Sequence, residues 1–269
     1  MHKTLLMLLL WAPPALGAFE RGGILTPGSG VATVAVAGSP WTVFANPAGL
    51  PSIEGRILGL SHTPRPFGLG ELSRSALAFV EPLPFGTAAV TLQRFGFELY
   101  REVTVGLLFA GSPGEGWDVG VGANYYSLSI PGYGATGAFG IDVGTLLEVA
   151  DDMRAGFSVL NLNAPVIGRE RERLPQILSL GFSYRPMKGF LLAVDLVKDV
   201  RFPAELDAGL EYEPVSVVRL SVGSSTEPSS FRGGVTIHYH PVEAGYTFST
   251  HPDLGGTHHF SLVLALDLF

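Results

Sequence analysis

Along most of the chain, apolar and polar residues alternate with a period of two. In "WDVGVGANYY", Trp117, Val119, Val121, Ala123 and Tyr125 fall on one face, and Asp118, Gly120, Gly122 and Asn124 on the other. In "AFGIDVGTLLEV", Phe139, Ile141, Val143, Leu147 and Val149 oppose Gly140, Asp142, Gly144 and Glu148. "QILSLGFSYRP", "ELDAGLEYEP" and "GGVTIHYHP" repeat the pattern, with Arg185, Asp207, Glu211 and His238 on the polar faces. Such segments predict β-strands with one apolar and one polar side. A soluble β-sandwich gives the same alternation, so the pattern alone leaves two architectures open.

The connections separate them. Tyr184-Arg185-Pro186, Tyr212-Glu213-Pro214 and Tyr239-His240-Pro241 recur at nearly constant spacing. Each proline is expected to end its strand, because it cannot donate to the ladder. A tyrosine facing outward at the same level each time suits a membrane-interface girdle. The alternate connections read as long loops: "HTPRPFGLGEL", "SIPGYGATG", "NLNAPVIGRERERLPQ", "SSTEPSSFRG" and "STHPDLGGTHH". Short turns at one end and long loops at the other predict an antiparallel transmembrane β-barrel of about fourteen strands, from near Arg56 to near Leu268. In the last segment the apolar row Phe260, Leu262, Leu264, Leu266 and Leu268 is expected to face lipid, and the chain ends on Phe269.

Composition agrees. Mean hydropathy is +0.33 and only 15% of residues are charged, against roughly 25% in soluble domains. After the first residues no run of about 20 apolar residues is present to form a spanning helix. A closed barrel is the other structure that satisfies every backbone group in lipid. The start, "MHKTLLMLLLWAPPALGA", reads as a secretory signal peptide: Lys3, an apolar stretch over Leu5–Ala12, and small residues for cleavage after Gly17 or Ala18. Its removal takes Lys3 with it, moving the net charge from −7 to −8. The acidity argues against nucleic acid as a partner. With no cysteine, the chain has no disulfide framework and no thiol chemistry. The division expected is signal peptide 1–18, an N-terminal segment 19–55, and a barrel 56–269.

Residues 19–55 contain "AVAGSPWTVFANPAGLPSIEG". Ser39-Pro40 and Asn46-Pro47 each place a capping side chain before a proline suited to the first helical position. Gly49 is expected to supply a backbone shape that other residues resist. Glycines on the inward faces leave room for this compact segment inside the barrel, as a plug. "AVAGSPWTVFANPAGL" resembles the N-terminal hatch signature of the FadL-type outer-membrane transporters of long-chain fatty acids, and of the related PorV/PorQ-type proteins. Trp41, Asn46, Pro47, Ala48, Gly49 and Leu50 carry the likeness. The resemblance implies fourteen antiparallel strands around a short hatch in the outer membrane of a Gram-negative-type bacterium. The chain leaves no room for the large helical loops that form the first substrate site in that family.

Sites for chemistry are sparse. "GYGATG" (132–137) matches a dinucleotide fingerprint, which requires a following helix; strand alternation follows instead, so it reads as a loop. His251, His258 and His259 offer a zinc alternative across one loop. Asp118, Asp142, Glu148, Asp195, Asp207, Glu211 and Glu213 are candidate lumen carboxylates, with Arg185 and Arg219 as partners and His238 beside them. No nucleophile motif accompanies them, so neither an enzyme nor a cofactor is expected. "RERER" (169–173) reads as a solvated loop, alternatively a contact to lipopolysaccharide. Leu108, Leu146, Leu160 and Leu191 on otherwise polar faces favour passage of small hydrophobic compounds. The alternative is a PorV-like barrel serving a secretion or surface-attachment system.

Overall fold

A computed structural model describes residues 18–19 and 32–266. Residues 1–17 of the expected signal 1–18, residues 20–31 of the segment 19–55, and residues 267–269, Phe269 among them, lie outside the described residues. The strands are β1 (Ile57–Thr63), β2 (Arg74–Leu83), β3 (Gly86–Phe97), β4 (Tyr100–Gly114), β5 (Trp117–Ile130), β6 (Gly134–Ala150), β7 (Met153–Leu160), β8 (Val166–Ile167), β9 (Glu172–Arg173), β10 (Ile177–Met187), β11 (Phe190–Asp199), β12 (Ala204–Val215), β13 (Val218–Thr226), β14 (Ser229–Tyr239), β15 (Val242–His251) and β16 (Gly255–Ala265). All but β8 and β9 pair in chain order, and β1 pairs β16, closing a barrel of fourteen antiparallel strands. β8 and β9 form a small hairpin within the connection from β7 to β10. Among the described residues no helix is long and apolar enough to cross a membrane.

Period two decides which way each side chain points. Val119, Val121, Phe139, Ile141, Leu180, Phe182, Leu196, Leu206 and Phe260 are exposed on the outside. Their inward neighbours Gly120, Gly122, Asn124, Asp142 and Asp195 are buried. Val263 is buried while Phe260 is exposed, so the described part of the apolar row in β16 faces outward as expected. Tyr184, Tyr212 and Tyr239 are also exposed on the outside, near the same end. A closed sheet wrapped in aliphatic and aromatic residues satisfies its backbone internally and is a membrane-spanning structure.

The connections after β2, β4, β6, β10, β12 and β14 are each two residues long. The other end departs from expectation: only 64–73 and 161–176 exceed four residues. The reason is that the strands continue through the segments read as loops. β5 and β6 run 14 and 17 residues, well into "SIPGYGATG", beyond the roughly 9–11 needed to span. The prolines differ too. β10 and β12 continue past Pro186 and Pro214, with register shifts between Tyr184 and Met187 and between Tyr212 and Val215. There proline marks a bulge, which needs no ladder donor; only at Pro241 does the strand stop.

Residues 32–55 pack against the inner faces of the strands. Val43, Leu50 and Ile53 are buried with Ala78, Val80, Ala89, Leu108 and Ala110 of β2–β4. Ala35 and Ala48 meet Leu146 of β6, and Ala32 and Val36 meet Leu191 and Ala193 of β11. The segment therefore touches strands on both sides of the lumen. Two short 3-10 turns, Thr42–Phe44 and Pro47–Ser52, give it shape, and Asn46 caps the second with Pro47 at its first position. The first turn is capped at Trp41 without a side-chain bond, so of the two proline signals only Asn46-Pro47 starts a turn as expected. Gly49 acts otherwise than expected: a Cβ there would meet Thr42 Oγ1 at 2.9 Å, so the constraint is space.

Candidate functional site

Three groups of features stand out inside the barrel among the described residues. The first element is the set of polar side chains that grip residues 32–55. Asp195 of β11 is fully buried, and its Oδ2 accepts the backbone N–H groups of Thr33 (2.5 Å) and Val34 (2.9 Å). Ser183 Oγ donates to the carbonyl of Ala35 (2.9 Å), and Ser158 Oγ to that of Ala45 (2.7 Å). Asn46 is the hub. Its Oδ1 accepts from Ala48 N (3.0 Å), while Nδ2 donates to the carbonyls of Val34 (2.8 Å) and Thr145 (3.1 Å), the latter in β6. Backbone groups shielded from water need such partners. The wall makes room by lacking side chains: a Cβ on Gly120 would lie 2.5 Å from Pro47 C, and one on Gly156 or Gly181 would strike Val34.

The second element is a cavity of about 210 Å³. It lies toward the end that carries the 64–73 and 161–176 connections, since its walls include Thr63, Arg74, Phe95, Glu102, Tyr126, Asn161 and His259. Its floor is Trp41, Val43, Phe44 and Ala45. Trp41 is 1% exposed, and its indole nitrogen has no hydrogen-bond partner among the described residues. Asp142 is held by Asn124 Nδ2 (2.7 Å) and the backbone N–H of Asn161 (2.8 Å). Asn161 in turn accepts from Tyr126 Oη (2.9 Å) and donates to the carbonyl of Pro175 (2.7 Å). The 161–176 connection is thereby tied to the cavity wall, with Ile167 and Leu174 buried against Ala138.

The third element lies at the short-turn end. Arg219 bonds Glu213 (2.9 Å) and stands 3.8 Å from Glu211, and His238 pairs with Glu243 (2.7 Å). Arg185 interacts electrostatically with Glu211 and Glu213, and Arg154 pairs with Glu148 (2.6 Å). The lumen candidates read from the sequence thus fall into separate groups. Asp142 and Asp207 border the cavity. Glu211, Arg185, Arg219 and His238 gather beyond residues 32–55, and Asp118 accepts from Ser112 Oγ (2.5 Å) elsewhere on β5. Trp41, Asn46, Pro47, Ala48 and Leu50 are together in the segment and almost fully buried.

Some expectations change. His258 is exposed beside Tyr246 and Phe248, whereas His259 is buried with Thr63 and Ser249. Adjacent residues of a strand face opposite sides, so the zinc alternative has no geometry, and the described residues contain no metal-binding group. The glycines of 132–137 lead into strand β6, which begins at Gly134, and not into a helix. Leu108, Leu146 and Leu191 hold the segment, Leu108 also bordering the cavity, and Leu160 borders the cavity without joining such a cluster. Ser158, Ser183 and Asn161 were not anticipated; their only sequence signal is a small polar residue on an inward face.

No protein-family model matches the chain, and no curated protein sequence matches it. Solved structures do. The Pseudomonas putida toluene transporter TodX superposes with a TM-score of 0.63 at 11% identity, covering 92% of this chain and 98% of that one. A Pseudomonas aeruginosa FadL homologue gives 0.60 at 12% identity, covering 89% and 98%. The Acinetobacter baumannii outer membrane protein Omp33 gives 0.51 at 8%, covering 79% and 98%. At such identities the likeness concerns the fold alone: this chain has the closed-barrel fold of these outer-membrane proteins.

Proposed function

We propose that the protein is a passive outer-membrane channel for small hydrophobic compounds, closed at rest by residues 32–55 acting as a plug. The observation that carries this reading is the cavity: it lies toward the end with the longer connections and is floored by Trp41, Val43 and Phe44. A solute entering there meets aromatic and aliphatic groups of the segment, and Phe95, Leu160 and Ile177 of the walls. Further passage requires the segment to shift. The charged groups beyond it disfavour an apolar solute unless they are screened or bypassed. The N-terminal stretch through Gly17 or Ala18 serves as the export signal, and the short-turn end faces the periplasm.

The alternative of a PorV-like interaction barrel calls for a protruding recruiting loop. The two long connections instead pack back on the barrel: Phe67 donates its N–H to Thr257 Oγ1 (3.1 Å) and Leu174 is 1% exposed. This supports the channel. Purified protein in liposomes should speed entry of a monoaromatic hydrocarbon over its entry into protein-free liposomes, and leave entry of a monosaccharide unchanged. Hydrocarbon entry no faster than without protein, or equal acceleration of both, would overturn the reading.

A further inference from the structure

The start of the described chain occupies a site that the channel reading does not use. Ala18 N lies 2.7 Å from Glu172 Oε1, a carboxylate of β9 in the 161–176 connection. Among the described residues Glu172 forms no ion pair with a side chain. The next residue is held as closely. The Phe19 N–H bonds the carboxylate of Glu102, which also accepts from Tyr100 Oη (2.6 Å). The Phe19 ring stands edge-on to Tyr126 with centroids 5.0 Å apart, against the apolar group of Ala138, Ile167 and Leu174. Phe19 also borders the cavity. Two carboxylates and an aromatic bed are the complement of a primary ammonium beside a phenyl ring.

We propose that the signal is removed between Gly17 and Ala18, and that the α-ammonium so released pairs with Glu172 and ties the 161–176 connection across the cavity mouth. Hydrolysis of that peptide bond by a signal peptidase consumes one water. It leaves a carboxylate on Gly17 and an ammonium on Ala18. An amide N–H at this position gives the Glu172 carboxylate one hydrogen bond from an uncharged donor; an ammonium at the same distance adds the attraction of opposite charges. Processing therefore strengthens the latch, which in the precursor is a single hydrogen bond from an uncharged donor. The chain's own Ala18-Phe19 end acts as the ligand of a site suited to small aryl-bearing amines. The inference does not depend on what the barrel carries.

The test uses mature protein purified from outer membranes. Intact mass should give a chain beginning at Ala18. An amine-reactive ester at neutral pH, followed by tryptic digestion, reports the rate at which the α-amine of the peptide 18–21 is modified. In the folded barrel that rate should be low, and Glu172→Gln, which removes the charge with little change of shape, should raise it about tenfold, the equivalent of about 1.4 kcal/mol. Glu172→Asp, which keeps the charge, should stay near the wild-type rate. A mature chain beginning at Phe19 or elsewhere overturns the proposal, as does equal labelling of wild type and Glu172→Gln when both run as folded barrels.

Discussion

Replacing Asn46 by alanine should open the barrel without dismantling it. The side chain makes three hydrogen bonds: one to Ala48 N, and one each to the carbonyls of Val34 and Thr145. Each contributes about 1 kcal/mol net, so about 3 kcal/mol of docking energy is lost. At tenfold per 1.4 kcal/mol, the ratio of undocked to docked segment should rise about 100-fold. The wall does not depend on these bonds, because the ladder closes between β1 and β16. Asn46→Ser gives a graded comparison: a hydroxyl can still cap Ala48 N but does not reach both carbonyls. It should lose about 2 kcal/mol and raise the ratio about 30-fold. Single-channel recordings in planar bilayers would count full openings. Alanine and serine variants that assemble correctly yet open no more often than wild type would refute the reasoning.

Gly120→Val should also expel the segment, since a Cβ there meets main-chain atoms of Pro47 and Ala48 at 2.5 and 2.6 Å; proteinase K should then cut between Trp41 and Phe44 while the strands resist. The chain has no cysteine, so single cysteines report orientation cleanly: at Arg171, Ser229 or Gly255 they should react with an impermeant maleimide on intact cells, and at Met187 or Val242 they should not.

The strands were legible because a barrel wall needs only alternation, and alternation is local. The strand ends were not. Where β5 and β6 rise beyond the membrane both faces meet water, so "SIPGYGATG" looks like a loop although β5 runs through Ile130 and β6 begins at Gly134. Asn46 as a cap was legible from the following proline. Its bond to Thr145 joins residues 99 apart in sequence, which no local pattern encodes. The inward leucines show the same limit: periodicity placed Leu108 and Leu191 in the lumen, but their partners Val43 and Val36 come from a distant part of the chain. Asp195 stood out as one inward carboxylate among several. Its distinction, two backbone N–H groups delivered from residues 33 and 34, appears only once the segment is seated.

That carboxylate has a consequence for how the chain can vary. Asp195, Ser183 and Ser158 all take hold of main-chain atoms, at Thr33, Val34, Ala35 and Ala45. Main-chain atoms are the same in every amino acid but proline, which has no N–H. Proline aside, the hold is indifferent to which residues occupy those four positions and sensitive to their bulk, above all at Val34 and Ala35, where the facing wall at Gly156 and Gly181 is bare. Substitutions among alanine, serine, glycine and threonine there should be nearly silent, whereas one large side chain should be intolerable. The segment is free to drift in spelling so long as it stays thin.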